Sequence, residues 1–257
     1  MLWMVSTSFK SNSQVFGSGA EGAFNLSSLI PKPWAPQNYT EALHTVPFLT
    51  YVKNTLVLCA LNVSFVVISS AIVAYGFARL RFWGRDQLFF LMIATMAIPG
   101  QVTMIPVFNL FRSLGWIGTY LPLTVPFLGG SAFFVFLLTQ FFRTLPAEMS
   151  EAARLDGAND WRIFTTLVLP LSKPALATCA LFQFMGTWND FFGALIYIND
   201  PDKYPLAYGL QQFQSLHGSK WAELMAASTL FTLPIIVLFF FAQRTFIQGI
   251  STTGGKS

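Results

Sequence analysis

The chain has 257 residues, of which 54% are hydrophobic and only 10% charged, and its mean hydropathy is +0.55. A soluble domain is normally about 25% charged, so the composition excludes an ordinary water-soluble globule and points to an all-α, polytopic membrane protein. The net charge of +4 and pI of about 9.2 do not indicate nucleic acid, because the basic residues gather beside apolar runs rather than on one face.

The chain opens with Met1-Leu-Trp-Met-Val-Ser-Thr-Ser-Phe-Lys10, apolar at first and then polar. It lacks the basic start and full apolar core of a signal peptide. Residues 1–9 read as the end of a truncated first span, 10–54 as an external segment and 55–257 as the transmembrane part. A spanning helix needs about 20 apolar residues. Five runs qualify, at 55–78, 87–111, 120–142, 175–198 and 224–242. The expectation is therefore five full transmembrane helices plus the remnant. Only the fourth run holds a charge, Asp190, and a charge at mid-bilayer costs about 2.5–3.5 kcal/mol. Pro99-Gly100-Gln101, inside the second run, predicts a helix break, whose freed backbone groups need a wet cavity or a neighbouring helix. Cys59 and Cys179 fall inside spans and read as small apolar residues. His44 and His217 are isolated and read as loop residues, and no Cys/His spacing fits a metal.

Lys and Arg content alternates between the loops. Arg79, Arg81 and Arg85 follow the first full span, Arg143, Arg154, Arg162 and Lys173 follow the third, and Arg244 and Lys256 lie in the tail. The other loops spread Lys10, Lys32, Lys53, Arg112, Lys203 and Lys220 over far more sequence. The positive-inside rule puts the first group in the cytoplasm. Residues 10–50 and 199–221 then lie outside, and the loop 143–174 and tail 243–257 inside.

The loop 143–174 carries Glu151-Ala152-Ala153-Arg154-Leu155-Asp156-Gly157-Ala158. Pro146 suits a first helical turn, Glu148 and Glu151 lie toward the positive end of the dipole, and Gly157 is free to adopt the positive φ that stops a helix. Asn159 or Asp160 can cap a second short helix through Trp161-Arg-Ile-Phe164, and Pro170 and Pro174 end the segment. The pattern is helix, glycine turn, helix. Ala152 and Ala153 make one face small enough for another protein's backbone to approach, with Glu151 and Asp156 able to meet basic residues there. A capped interfacial helix with no partner fits the same residues.

In the run 175–198, Gln183, Thr187 and Asp190 recur at helical spacing as a polar stripe, with Gly186 and Gly193 near the same side. Ionisable residues inside spans are candidates for lining a cavity; an Asp190 near the outer interface is the alternative. The tail Gly249-Ile-Ser-Thr-Thr-Gly-Gly-Lys-Ser257 nearly spells a P-loop, but Gly249 comes one residue too early before Gly255-Lys256 and no helix follows. No ATP site, other cofactor, metal site or catalytic residue is expected on this chain. An intramembrane enzyme would need paired carboxylates, a Gly-x-Ser-x-Gly turn or a His-Glu-x-x-His pair, and none is present. A structural membrane scaffold would need neither the loop nor the stripe.

The loop, with Trp161-Arg-Ile-Phe, Leu169-Pro-Leu and Pro174, resembles the EAA loop of ABC importer permease subunits, and more closely that of the maltose-type sugar permeases. Asn38-Tyr39, Phe48, Tyr51 and Asn54-Thr-Leu resemble the same family's lead into its second span. Trp188-Asn-Asp-Phe-Phe is similar to its fifth span, and Gln243-Arg-Thr-Phe-Ile-Gln-Gly249 with the Gly-Gly-Lys end to the tail of the smaller permease of the pair. The resemblance implies a bacterial inner-membrane subunit of an ATP-driven, binding-protein-dependent sugar importer. Its partners would be a second, homologous permease, two cytoplasmic ATPases that hold ATP and Mg, an external solute-binding protein, membrane lipid and the sugar. Glu151, Ala152, Ala153, Asp156 and Gly157 would form the ATPase-coupling helix. Gln183, Thr187, Trp188, Asn189 and Asp190 would line the substrate pathway, with the Trp188 ring suited to an apolar sugar face and the Asn189 amide to hydroxyls; an interfacial anchor is the alternative role for Trp188. Another small solute is the alternative cargo.

Overall fold

The computed structural model describes residues 1–17, 30–215 and 220–253; His217 and the Gly-Gly-Lys end considered above lie outside them. The described residues contain helices and no strand. In chain order they are α1 (Leu2–Ser8), α2 (Asn12–Gly17), α3 (Gln37–Thr45), α4 (Phe48–Arg79), α5 (Arg85–Thr95), α6 (Gly100–Ser113), α7 (Leu121–Thr124), α8 (Ala132–Thr144), α9 (Ala147–Leu155), α10 (Asp160–Ile163), α11 (Leu169–Leu171), α12 (Lys173–Trp188), α13 (Phe192–Tyr197), α14 (Leu206–Ser215) and α15 (Trp221–Thr253). A π turn, Phe164–Val168, joins α10 to α11. Pro170 lacks the N–H that would reach the Thr166 carbonyl, and the ladder slips to the wider spacing just before it.

Three helices are long and apolar enough to cross a membrane: Phe48–Arg79, Leu121–Thr144 and Trp221–Phe240. Two bent pairs raise the number to five if each pair is one span. Arg85–Thr95 with Gly100–Ser113 bends by 95°, and Asp160–Leu171 with Lys173–Trp188 by 77°. The 32 residues of α4 run about 48 Å at about 1.5 Å each, more than the roughly 30 Å hydrocarbon core. The break at Pro99-Gly100 falls where the sequence places it, with Pro99 at the N-cap of α6. The run 175–198 is not one helix, however. It stops at Trp188 and resumes at Phe192, so Asp190 sits in a helix break. His44, expected in a loop, lies in the last turn of α3. Residues 243–253 of the tail continue α15 as helix. Cys59 and Cys179 are buried free thiols, as small apolar residues would be.

The chain divides into two compact units. In the unit made of Met1–Val57 and Thr187–Phe239, buried amide and hydroxyl groups tie distant segments together. Asn38 Nδ2 donates to the carbonyls of Ser8 and Lys10, both at 2.8 Å, and Phe9 stacks on Trp34 with ring centroids 4.4 Å apart. Asn12 Oδ1 accepts the Ala222 N–H at 3.1 Å, satisfying an orphan donor in the first turn of α15. Asn54 Nδ2 donates to the Asp202 and Tyr204 carbonyls, and Thr55 Oγ1 accepts the Leu206 N–H at 2.8 Å. Asn38, Asn54 and Thr55, which carry part of the family resemblance, are thus fasteners of the fold. A Cβ at Gly209 would collide with the Tyr51 ring, so α14 approaches α4 as closely as a glycine permits.

The other unit, Leu58–Gly186 with the chain from Phe240, is built on an apolar cluster. α4 contributes Val66, Ala74 and Tyr75, and α8 contributes Leu138 and Phe142. α12 contributes Cys179, and the segment between α9 and α12 adds Ile163, Phe164 and Val168.

Candidate functional site

The Glu151–Gly157 stretch folds as α9 followed by a tight turn. Pro146 is the N-cap rather than the first helical residue, with φ −57° and ψ 134°, and Glu148 lies in the first turn. Gly157 has φ +81°. Its N–H donates to the Arg154 carbonyl at 3.0 Å, and the Ala158 N–H donates to the Ala153 carbonyl at 2.9 Å. This pair of bonds is the Schellman closure of a helix C-terminus, and the positive φ is why glycine stands there. Asn159, not Asp160, caps the next helix, its Oδ1 accepting the Arg162 N–H at 2.8 Å. Asp160 instead pairs with Arg154 across the turn at 2.8 Å and also accepts from the Tyr75 hydroxyl at 3.4 Å. The hydrogen bond to Asp160 pushes the Arg154 pKa up.

The turn is bolted to the spans. Ile163, Phe164 and Val168 are buried against Tyr75, Leu138 and Phe142, and the Tyr75 and Phe164 rings lie 5.1 Å apart. Burying such side chains stabilises by roughly 1.5–3 kcal/mol each, so a displacement of the turn must carry α4 and α8 with it or break this contact. Arg79 Nη2, at the end of α4, donates at 2.7 Å to both the Phe142 and Leu145 carbonyls, which ties the end of α8 to that of α4.

Glu151, Ala152, Asp156 and Gly157 are all exposed, whereas Ala153 is half-buried and, like Ala158, packs on the unit's own core. The small face expected from Ala152 and Ala153 is therefore split: Ala153 turns inward. The outward apolar residues are ones the sequence reading passed over. Leu155 is 91% exposed, Trp161 62% and Met149 39%. Their signal was available, as large apolar side chains inside an otherwise polar loop.

The five candidate pathway residues divide. Gln183 and Thr187 are buried on α12. Trp188 is 1% exposed; its Nε1 donates to the Phe231 carbonyl at 3.1 Å and its ring lies 5.8 Å from that of Phe231. In this conformation the indole is a packing group. Asn189 is exposed and Asp190 half-buried in the break before α13. Asp190 Oδ1 accepts the Gly193 N–H at 2.8 Å, so the carboxylate starts the helix that follows it. Gly186 has open space around it, so within this chain it makes no close helix contact. Pro99, Gly100 and Gln101 are exposed at the 95° bend. Among the described residues, no three His, Cys, Asp or Glu side chains gather to hold a metal ion.

Residues 67–252 match the family described as binding-protein-dependent transport system inner membrane component. A probable ABC transporter permease protein, YurM of Bacillus subtilis, is 32% identical over 257 residues, covering all of this chain and 83% of the relative. The diacetylchitobiose uptake system permease protein NgcG of Streptomyces coelicolor is 30% identical over 254 residues, 98% of this chain and 82% of the relative. In the crystal structure of a bacterial ABC transporter involved in the import of the acidic polysaccharide alginate, one chain matches with a TM-score of 0.80 at 27% identity, covering 95% of this chain and 88% of that one.

Proposed function

The chain belongs to the family of binding-protein-dependent transport system inner membrane components, and from that premise we propose that it is the smaller permease subunit of a sugar importer. It is a multi-pass membrane subunit of an ABC transporter, not an enzyme, and the ATPase is a partner subunit. A sugar cargo is supported by relatives that carry diacetylchitobiose and alginate. Within the complex it pairs with a second, similar permease and receives cargo from an external binding protein. In this reading the 143–174 loop and the C-terminus lie in the cytoplasm, where the density of arginine favours them.

The observation that carries the coupling role is the Schellman-closed turn at Gly157, fastened by Ile163 and Phe164 to the core of α4 and α8. In our reading α9 seats on the ATPase, with Glu151, Ala152, Asp156 and Gly157 at the contact and Leu155 as its apolar anchor. Ala153 holds the helix from behind. The nucleotide state then biases inward- and outward-open populations through differential contacts at this turn. Asn189 and Asp190 line the pathway, Gln183 and Thr187 lie buried on the helix behind them, and Trp188 fixes the helix end that carries them.

Cysteine at Leu155 tests this arrangement. It is expected to crosslink to a co-expressed ATPase subunit and not to the external binding protein. Crosslinking to the binding protein would place the loop outside and overturn the reading.

A further inference from the structure

A cleft of about 730 Å³ opens beside α9, where the end of α4, the Arg79–Arg85 connection and the start of α9 converge. Four guanidinium groups, Arg79, Arg81, Arg85 and Arg154, face two carboxylates, Glu151 and Asp160. Asp160 is engaged by Arg154 at 2.8 Å, and Arg85 pairs with Asp86 at 2.9 Å. Arg81 forms no ion pair among the described residues. Arg79 spends its Nη2 on two backbone carbonyls, and its Nε is buried without a hydrogen-bond partner. A second cavity of about 290 Å³ adjoins and shares Arg81 and Arg85. The cleft therefore carries excess positive charge, in a volume within the roughly 300–1,000 Å³ usual for small-ligand sites.

We propose that this cleft binds the phosphate of an anionic phospholipid headgroup. Guanidinium groups recognise phosphate through charge-assisted hydrogen bonds. The position favours lipid over a soluble anion, because the cleft is built from the last residue of one span and the first of the next. Between them, Trp83 is 98% exposed and Phe82 43% exposed. Aromatic rings in such a place sit at headgroup depth, and a basic juxtamembrane cluster attracts anionic lipid. A lipid held here touches the connection after α4 and, through Arg154 and Glu151, the helix proposed to seat on the ATPase. It would then be a structural ligand of the coupling region. The placement at the cytoplasmic leaflet rests on the importer reading above; phosphate recognition itself does not.

The test is native mass spectrometry of the purified, assembled transporter, titrated with phosphatidylglycerol or phosphatidylcholine, with Arg81→Ala/Arg85→Ala compared with Arg112→Ala as a charge-loss control. Arg79 is left intact because it fastens helix ends. The wild type and Arg112→Ala are expected to retain phosphatidylglycerol over phosphatidylcholine, and the double variant to lose about thirtyfold in that preference, at roughly 1 kcal/mol for each of the two basic residues near the surface. Equal losses in the control and the double variant would overturn the site. So would displacement of the lipid by millimolar inorganic phosphate, which would make the ligand a soluble anion. Lipid binding only after the ATPases are stripped away would show that a protein segment fills the cleft. Retention is read without transport, so its failure leaves the importer reading standing.

Discussion

At the scale of single residues, Asp190 separates two roles that a charge inside an apolar run suggests. Its Oδ1 accepts the Gly193 N–H at 2.8 Å, which needs an acceptor and not a charge. If capping is its structural role, Asp190→Asn keeps the acceptor and assembles normally, while Asp190→Leu loses about 1 kcal/mol of helix-start stabilisation and lowers the melting temperature of the purified complex. Uptake then isolates the charge. A pathway carboxylate predicts that Asp190→Asn changes transport with its melting temperature unchanged, and equal transport by the two proteins would confine Asp190 to the cap. Trp188 shows why such roles are hard to read from sequence. A tryptophan beside an asparagine in a span invites a sugar-binding reading, but the Phe231 carbonyl that takes its Nε1–H lies 43 residues away. No local pattern reports that partner.

At the scale of elements, the Gly157 turn was legible because its chemistry is local. Proline before, glycine after and asparagine at the next cap each act within four residues, and the structure places all three at helix ends. The Pro99-Gly100 bend was legible for the same reason. The break at 189–191 was not, because no proline or glycine falls within it and Asp190 reads equally as a member of a helical polar stripe. Inward and outward faces of α9 were also hidden, since Ala152 and Ala153 differ only in which one meets the core. The turn supports a graded prediction. A Cβ at Gly157 meets no atom within 4 Å, so substitution there costs only the positive φ, about 1–2 kcal/mol for an ordinary residue. Thermal unfolding of the purified complex is expected to rank glycine above asparagine, asparagine above alanine, and proline lowest. A melting temperature for Gly157→Ala equal to that of the native protein would mean that the turn is not held in this conformation.

At the scale of the whole molecule, composition and run length were enough to establish a helical membrane protein, and the loop motif its family. The division into two compact units was not visible, because its boundaries fall inside α4, α12 and α15, where no loop or linker marks them. The charged surface beside α9 was visible only as a count of arginines; the cleft they line depends on the fold. In the proposed mechanism this chain moves sugar only when a separate ATPase drives it through the Gly157 turn. Uptake of a labelled oligosaccharide into proteoliposomes holding the complete transporter and its binding protein tests that claim most directly. Uptake is expected to require ATP on the ATPase side and to be abolished by Gly157→Pro, while the variant complex still assembles and hydrolyses ATP. Full uptake by the assembled Gly157→Pro complex, or uptake with no ATP present, would contradict it.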